Sequence, residues 1–131
     1  MYNLLVIENS GPASNEAMVS NLGKAGFRVA TYSDHLEALS KLGEFKPDLI
    51  LLGELSSADS FAVCAQLRRA VDIPIVMMGE APGGRAWSRA VESGADLYWS
   101  KTIRYSELAA RIRAILRRNK RNRLEGKVGG R

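Results

Sequence analysis

Four places in this chain set polar residues or glycine directly after a short apolar run. Glu8 and Asn9 follow "LLVI" (4–7), Gly53 and Glu54 follow the "DLILL" of 48–52, Gly79 and Glu80 follow "PIVMM" (74–78), and Lys101 follows "DLYWS" (96–100). A carboxylate beside an amide carbonyl, as at Glu8 and Asn9, can hold a hard cation such as magnesium through water, although one carboxylate is too few for good affinity. Lysine can neutralise an anion. Neither Gly53 nor Gly79 has a side chain to attack anything. His35 is the only histidine and reads as an exposed residue at the start of a helix. Cys64, the only cysteine, lies beside Val63 and Leu67 and reads as a small buried apolar group that closes no disulfide within the chain. There is no Ser/His/Asp set and no cluster with metal-ligand spacing, and "GEAPGG" (79–84) reads as a turn rather than a phosphate cradle. These residues predict neither an enzyme nor a resident cofactor or metal.

The elements that must position them follow from hydrophobic spacing. Apolar runs at 4–7, 27–32, 48–52, 74–78 and 96–100 predict five strands. Between them Met18 and Leu22, then Leu36, Leu39 and Leu42, then Phe61, Cys64 and Leu67 fall at helical spacing. Asp34, with Glu37 three positions later, can form a capping box that opens the second helix. In the last helix Leu108, Ile112 and Ile115 share an apolar stripe, with Glu107, Arg111 and Arg118 off it. Strands alternating with helices of about three turns predict a parallel α/β sheet built from right-handed βαβ units, a (βα)5 domain. Side chains alternate along a strand, so Glu54 is expected to aim away from the side that residue 53 faces.

A chain of 131 residues suits one domain. Its net charge of +5 is uneven, because residues 117–131, "RRNKRNRLEGKVGGR", hold seven Lys/Arg against one acid while the remainder is near neutral. The expected division is a domain over 1–118 and a basic flexible tail or linker over 119–131. No apolar stretch reaches membrane-spanning length, and "MYNLLVIENS" lacks the pattern of a signal peptide, which predicts a cytoplasmic protein without membrane contact.

Taken in order, "PDLILL" (47–52), "DIPIVMM" (72–78), "ESGADLYWSK" (92–101) and "ELAARIRAILRR" (107–118) resemble a CheY-like receiver domain of a bacterial two-component response regulator, over Leu4 to about Arg118. The last segment is similar to receivers of winged-helix regulators of the OmpR/PhoB type. The resemblance implies a flavodoxin-like three-layer sandwich with strand order 2-1-3-4-5. It also implies a magnesium-binding acidic pair after the first strand, a phosphoacceptor aspartate ending the third, a hydroxyl ending the fourth, and a Lys-Pro after the fifth. Here those places hold Glu8 and Asn9, Gly53, Gly79, and Lys101 followed by Thr102. Only the lysine survives, so the sequence predicts a degenerate phosphorylation site. Lys101 is expected to pair with Glu8 or face solvent.

Function is then expected on surfaces. Tyr98 matches the family's switch aromatic, and the face of the fourth helix, fifth strand and fifth helix is the implied interface for a protein partner or a homodimer. Asp96, Glu107 and Arg111 match charged positions there, while Trp87 and Leu97 stand where charges are common. Trp87 reads either as an interface anchor or as folded back onto its helix, and Trp99 as core. The tail residues Arg117, Arg118, Lys120, Arg121 and Arg123 suit salt-sensitive, non-specific nucleic-acid contact, or a solvated continuation of the last helix that links to a further, DNA-binding domain. Three functions follow. The first is a phosphorylation-independent pseudo-receiver acting in signal transduction or transcription regulation through protein contacts. The second is a nucleic-acid-associated protein using its tail, and the third a conventional receiver phosphorylated at an unexpected acid.

Overall fold

Leu4, Leu5, Val6 and Ile7, like Leu49 to Leu52, are buried on both faces, the condition of strands covered by helices on two sides. The computed structural model describes residues 1–9, 11–55, 58–80 and 84–129, with Gly84 and 121–129 as backbone only. The strands β1 (Asn3–Ile7), β2 (Arg28–Tyr32), β3 (Leu49–Leu52), β4 (Ile75–Gly79) and β5 (Leu97–Ser100) all pair in parallel, in the order β2-β1-β3-β4-β5. This is the expected doubly wound sheet. The helices are α1 (Pro12–Lys24), α2 (His35–Ser40), α3 (Leu42–Phe45), α4 (Ser60–Ala70), α5 (Gly84–Glu92) and α6 (Tyr105–Gly129).

Two cores flank the sheet. On one face Val6, Leu51 and Val76 meet Met18 and Leu22 of α1 and Leu108 and Ile112 of α6. On the other, Ile7, Ile50 and Ile75 meet Ala38 of α2 and Val63, Cys64 and Leu67 of α4. Burial pushes the Cys64 thiol up in pKa, as suits a packing residue.

Three local readings are corrected. The single second helix is broken at Lys41 into α2 and α3. Of the expected stripe Leu39 and Leu42 pack half-buried against the core beside the fully buried Ala38, whereas Leu36 is exposed. Asp34 does cap α2, its side chain accepting from Leu36 N at 2.9 Å, and His35 after it is half-buried. The buried stripe of the last helix is Leu108, Ala109, Ile112 and Leu116, with Ile115 at its edge. That helix does not stop near 118, since its backbone stays helical to Gly129. Arg, Lys, Asn, Leu and Glu all tolerate a helix once it is nucleated, so the absence of an apolar stripe does not end it.

Candidate functional site

Alternation along the strands sorts the crevice residues onto two sides of the sheet. Glu8, Gly53 and Lys101 line a cavity of about 370 Å³ on the α1/α6 side. Gly79 and Tyr98, with Gly53 at the border, line one of about 340 Å³ toward α4. Ser56, Ser57 and residues 81–83 of "GEAPGG" lie outside the described residues.

The backbone at the crevice is tied down. Glu8 N donates to Tyr32 O at 3.0 Å, Asn9 N to Glu54 O at 3.0 Å, Gly53 N to Ile7 O at 2.8 Å and Lys101 N to Gly79 O at 2.9 Å. Ser60 Oγ, from the first turn of α4, holds Gly53 O at 3.0 Å.

At the buried Gly53, the Glu8 side chain takes up the space a side chain would need. A Cβ there would lie 2.7 Å from Glu8 Cβ and 3.0 Å from Glu8 Oε2. Gly79 plays the same part for Tyr98: a Cβ on it would overlap the Tyr98 hydroxyl outright and sit 2.9 Å from Tyr98 Cζ. The two glycines are therefore occupied positions, each covered by a neighbour's side chain. Tyr98 is half-buried, and its phenol is raised in pKa first by burial and then by the charges of Glu54 and Glu80.

Lys101 Nζ meets Glu80 Oε2 at 3.2 Å and Glu54 Oε1 at 3.9 Å. Its pKa is raised by the hydrogen bond to Glu80, then by the charges of Glu80, Glu54 and Glu8. The expectation for Glu54 is thus corrected. Strand alternation ends with β3 at Leu52, and Glu54 reaches Lys101. Glu80 was visible beside Gly79 in the sequence, but nothing there signalled its pairing. Ser14, Met18, Thr102 and Tyr105 also line the first cavity, and only the fold brings them there.

Magnesium, which the family resemblance implies, does not fit this donor set. Glu8 is the one acid of the expected acidic pair, residue 53 supplies no oxygen from a side chain, and Lys101 stands at the same mouth. Among the described residues no three His, Cys, Asp or Glu are grouped to hold a metal ion.

The candidate interface residues are spread over α5, β5 and α6. Trp87 is 53% exposed and does not fold back, and Val91, one turn on, is 43% exposed. Leu97 is half-buried against the α1/α6 core. Arg111 pairs with Glu107 and lies 5.4 Å from the ring centroid of the buried Trp99. Asp96 is engaged within the fold: Oδ2 accepts from Ile75 N at 2.8 Å and from Arg68 at 3.4 Å, while Arg68 also donates to Ile73 O. Asp96→Ala strands the Ile75 N–H, and a loss of about 1–2 kcal/mol in urea unfolding is expected. Arg117, Arg118 and Lys120 are exposed on α6, and the side chains of Arg121 and Arg123 lie outside the described residues.

Residues 4–113 match the family described as the response regulator receiver domain. The chain belongs to that family. This receiver is 38% identical over 122 residues to the transcriptional regulatory protein AfsQ1 of Streptomyces coelicolor, covering 92% of this chain and 54% of that one. It is 35% identical over 120 residues to the DNA-binding response regulator MtrA of Mycolicibacterium smegmatis, covering 91% and 53%. It thus spans about half the length of the curated relatives it matches. A two-component response regulator from Clostridium difficile superposes with a TM-score of 0.83 at 28% identity, over 90% of this receiver and 98% of that chain. No helix among the described residues is long and apolar enough to cross a membrane.

Proposed function

We propose that this receiver works without phosphorylation, as a cytoplasmic pseudo-receiver of a transcriptional regulator that signals through protein contacts. The observation that carries this reading is the end of β3, where Gly53 offers no acceptor oxygen and the Glu8 side chain covers it. Two further features support it. The charge of Lys101 is engaged by Glu80 and Glu54, and at residue 79 the Tyr98 hydroxyl fills the space a side-chain hydroxyl would need. With the chemistry gone, the face of α5, β5 and α6 is the assigned interface, for a second copy or a protein partner. Trp87 is its anchor, since exposed tryptophan is a frequent hot spot. DNA is reached through a further domain, as befits a chain half as long as relatives named DNA-binding. The basic end of α6 adds only weak, salt-sensitive contact.

The test is an amide NMR spectrum with magnesium, before and after adding beryllofluoride, which mimics an aspartyl phosphate. The expected result is no change at Glu8, Gly53, Gly79 or Lys101. Shifts spreading from those residues to Tyr98 would mean a working site, and the reading would fall.

A further inference from the structure

At the amino ends of β2, β1 and β3, opposite the crevice, a chain of contacts gathers exposed cations from distant parts of the sequence. Arg28 opens β2: its N donates to Tyr2 O at 2.9 Å, and its guanidinium lies 5.5 Å from the Phe45 ring centroid. Beside it Asn3 Nδ2 donates to Phe45 O at 2.8 Å and to Lys46 O at 3.3 Å. Lys24 ends α1, and the carbonyl of the next residue, Ala25, accepts from Arg113 of α6 at 2.6 Å. One face of α6 carries Arg113, Arg117 and Lys120 at helical spacing. Lys120 lines a groove with Tyr2, Asp48 and Asn119, and from there the backbone runs on as helix to Gly129.

Lys24, Arg28, Lys46, Arg113, Arg117 and Lys120 are all exposed, and among the described residues none of them pairs with a carboxylate. Asp48 is the one acid within these contacts, and it is half-buried, its Oδ2 accepting from Asn3 N at 2.7 Å. Like charges left uncompensated over one surface are the electrostatic footprint of a polyanion site. The neighbouring groups narrow the choice of polyanion. Tyr2 and Asn119 sit among the cations, and neutral donors of these types join Arg and Lys in contacts with phosphate oxygens. A bilayer would require apolar groups beside the cations, and among the described residues Met1 is the one large apolar side chain exposed at this end.

We infer that the amino end of the sheet, together with α6, is a docking surface for the phosphate backbone of duplex DNA. The inference rests on the contact proposed above for the end of α6 and carries it onto the body of the domain. The contact is independent of base sequence, with a Kd of roughly 10⁻⁶ to 10⁻⁴ M near physiological salt. In a regulator held on DNA by a further domain, it would lay the receiver against the same duplex.

The test is fluorescence anisotropy of a labelled DNA duplex of mixed sequence, titrated with the full chain over a potassium chloride series. Binding whose logarithm falls linearly with the logarithm of salt is expected. Lys24→Gln/Arg28→Gln/Lys46→Gln changes the body and leaves α6 whole. It should flatten the slope by about 3, close to one per cation, and weaken binding at low salt by about tenfold or more. The charge-keeping Lys24→Arg/Arg28→Lys/Lys46→Arg should retain both slope and affinity. A loss shared by the charge-keeping variant would show that packing and not charge is responsible, and would overturn the surface. An unchanged slope in the glutamine variant would also overturn it, leaving the end of α6 to act alone. No binding even at low salt would overturn both contacts. Poly-glutamate or phosphatidylglycerol vesicles bound as tightly as the duplex would overturn the assigned partner. The pseudo-receiver reading stands or falls on beryllofluoride, which does not enter this experiment.

Discussion

Restoring the carboxylate that the family carries at the end of β3, by Gly53→Asp, is expected to destabilise the fold by about 3 kcal/mol and to return no phosphoryl transfer. The new Cβ would press on Glu8 Cβ at 2.7 Å, an atom next to the backbone that cannot swing aside as the tip of a side chain would. Glu8 moves only if the end of β1 moves, and that end is held by Glu8 N on Tyr32 O and Gly53 N on Ile7 O. The added charge also enters a buried position beside Glu8, near a lysine already held by Glu80 and Glu54. Urea unfolding measures the cost, and intact mass after treatment with acetyl phosphate and magnesium measures the chemistry. Trimming the obstruction in Gly53→Asp/Glu8→Ala should recover part of the stability without restoring transfer. A Gly53→Asp protein as stable as its parent, or one that gains a phosphoryl group, would show that Glu8 does not block the position.

The second large effect is conformational. Gly79→Thr should drive the Tyr98 ring out of its seat, because the new Cβ and the Tyr98 hydroxyl cannot share the space. The expected cost is about 1–3 kcal/mol, and it should largely vanish when Tyr98 is first cut to alanine. Additive effects of Gly79→Thr and Tyr98→Ala would contradict the steric link. The same displacement should appear in the titration of the phenol. Burial, with Glu54 and Glu80 behind it, raises the Tyr98 pKa above the ordinary phenol value of about 10. The folded chain therefore keeps this proton to higher pH than the unfolded chain does. The associated stability is complete below the ordinary value and is lost as pH rises through the folded one. In Gly79→Thr the exposed phenol should titrate nearer its ordinary value, and this alkaline loss should shrink. Ring-selective NMR against pH separates Tyr98 from the other three tyrosines.

Much of the fold could be read from hydrophobic spacing, since strands buried on both faces leave unbroken apolar runs such as "LILL" and their order follows from the resemblance. The glycines at 53 and 79 were visible as departures from it. What they exchange with was not. A sequence shows that a side chain is missing, but not that Glu8 has leaned over one gap and the Tyr98 hydroxyl has filled the other, because those contacts join residues far apart in the chain. The Lys101 pairing was misjudged for a related reason. Alternation is a property of a strand, and β3 had ended two residues before Glu54. The course of α6 past residue 118 was open in the sequence between a flexible tail and a solvated continuation of the helix, because periodicity detects packing, whereas charged residues of good helical propensity continue a helix without packing. Trp87 had two readings in the sequence, and only the placement of α5 chose exposure.

The open seat at Gly79 has a consequence for how information reaches this molecule. A switch needs two wells and an event that tips one into the other. Here the ring is accommodated by an absence written into every copy of the chain, so no event at residue 79 marks one copy from another. For a module that acts by association, as proposed for this one, occupancy follows mass action, so the number of copies bears directly on its output.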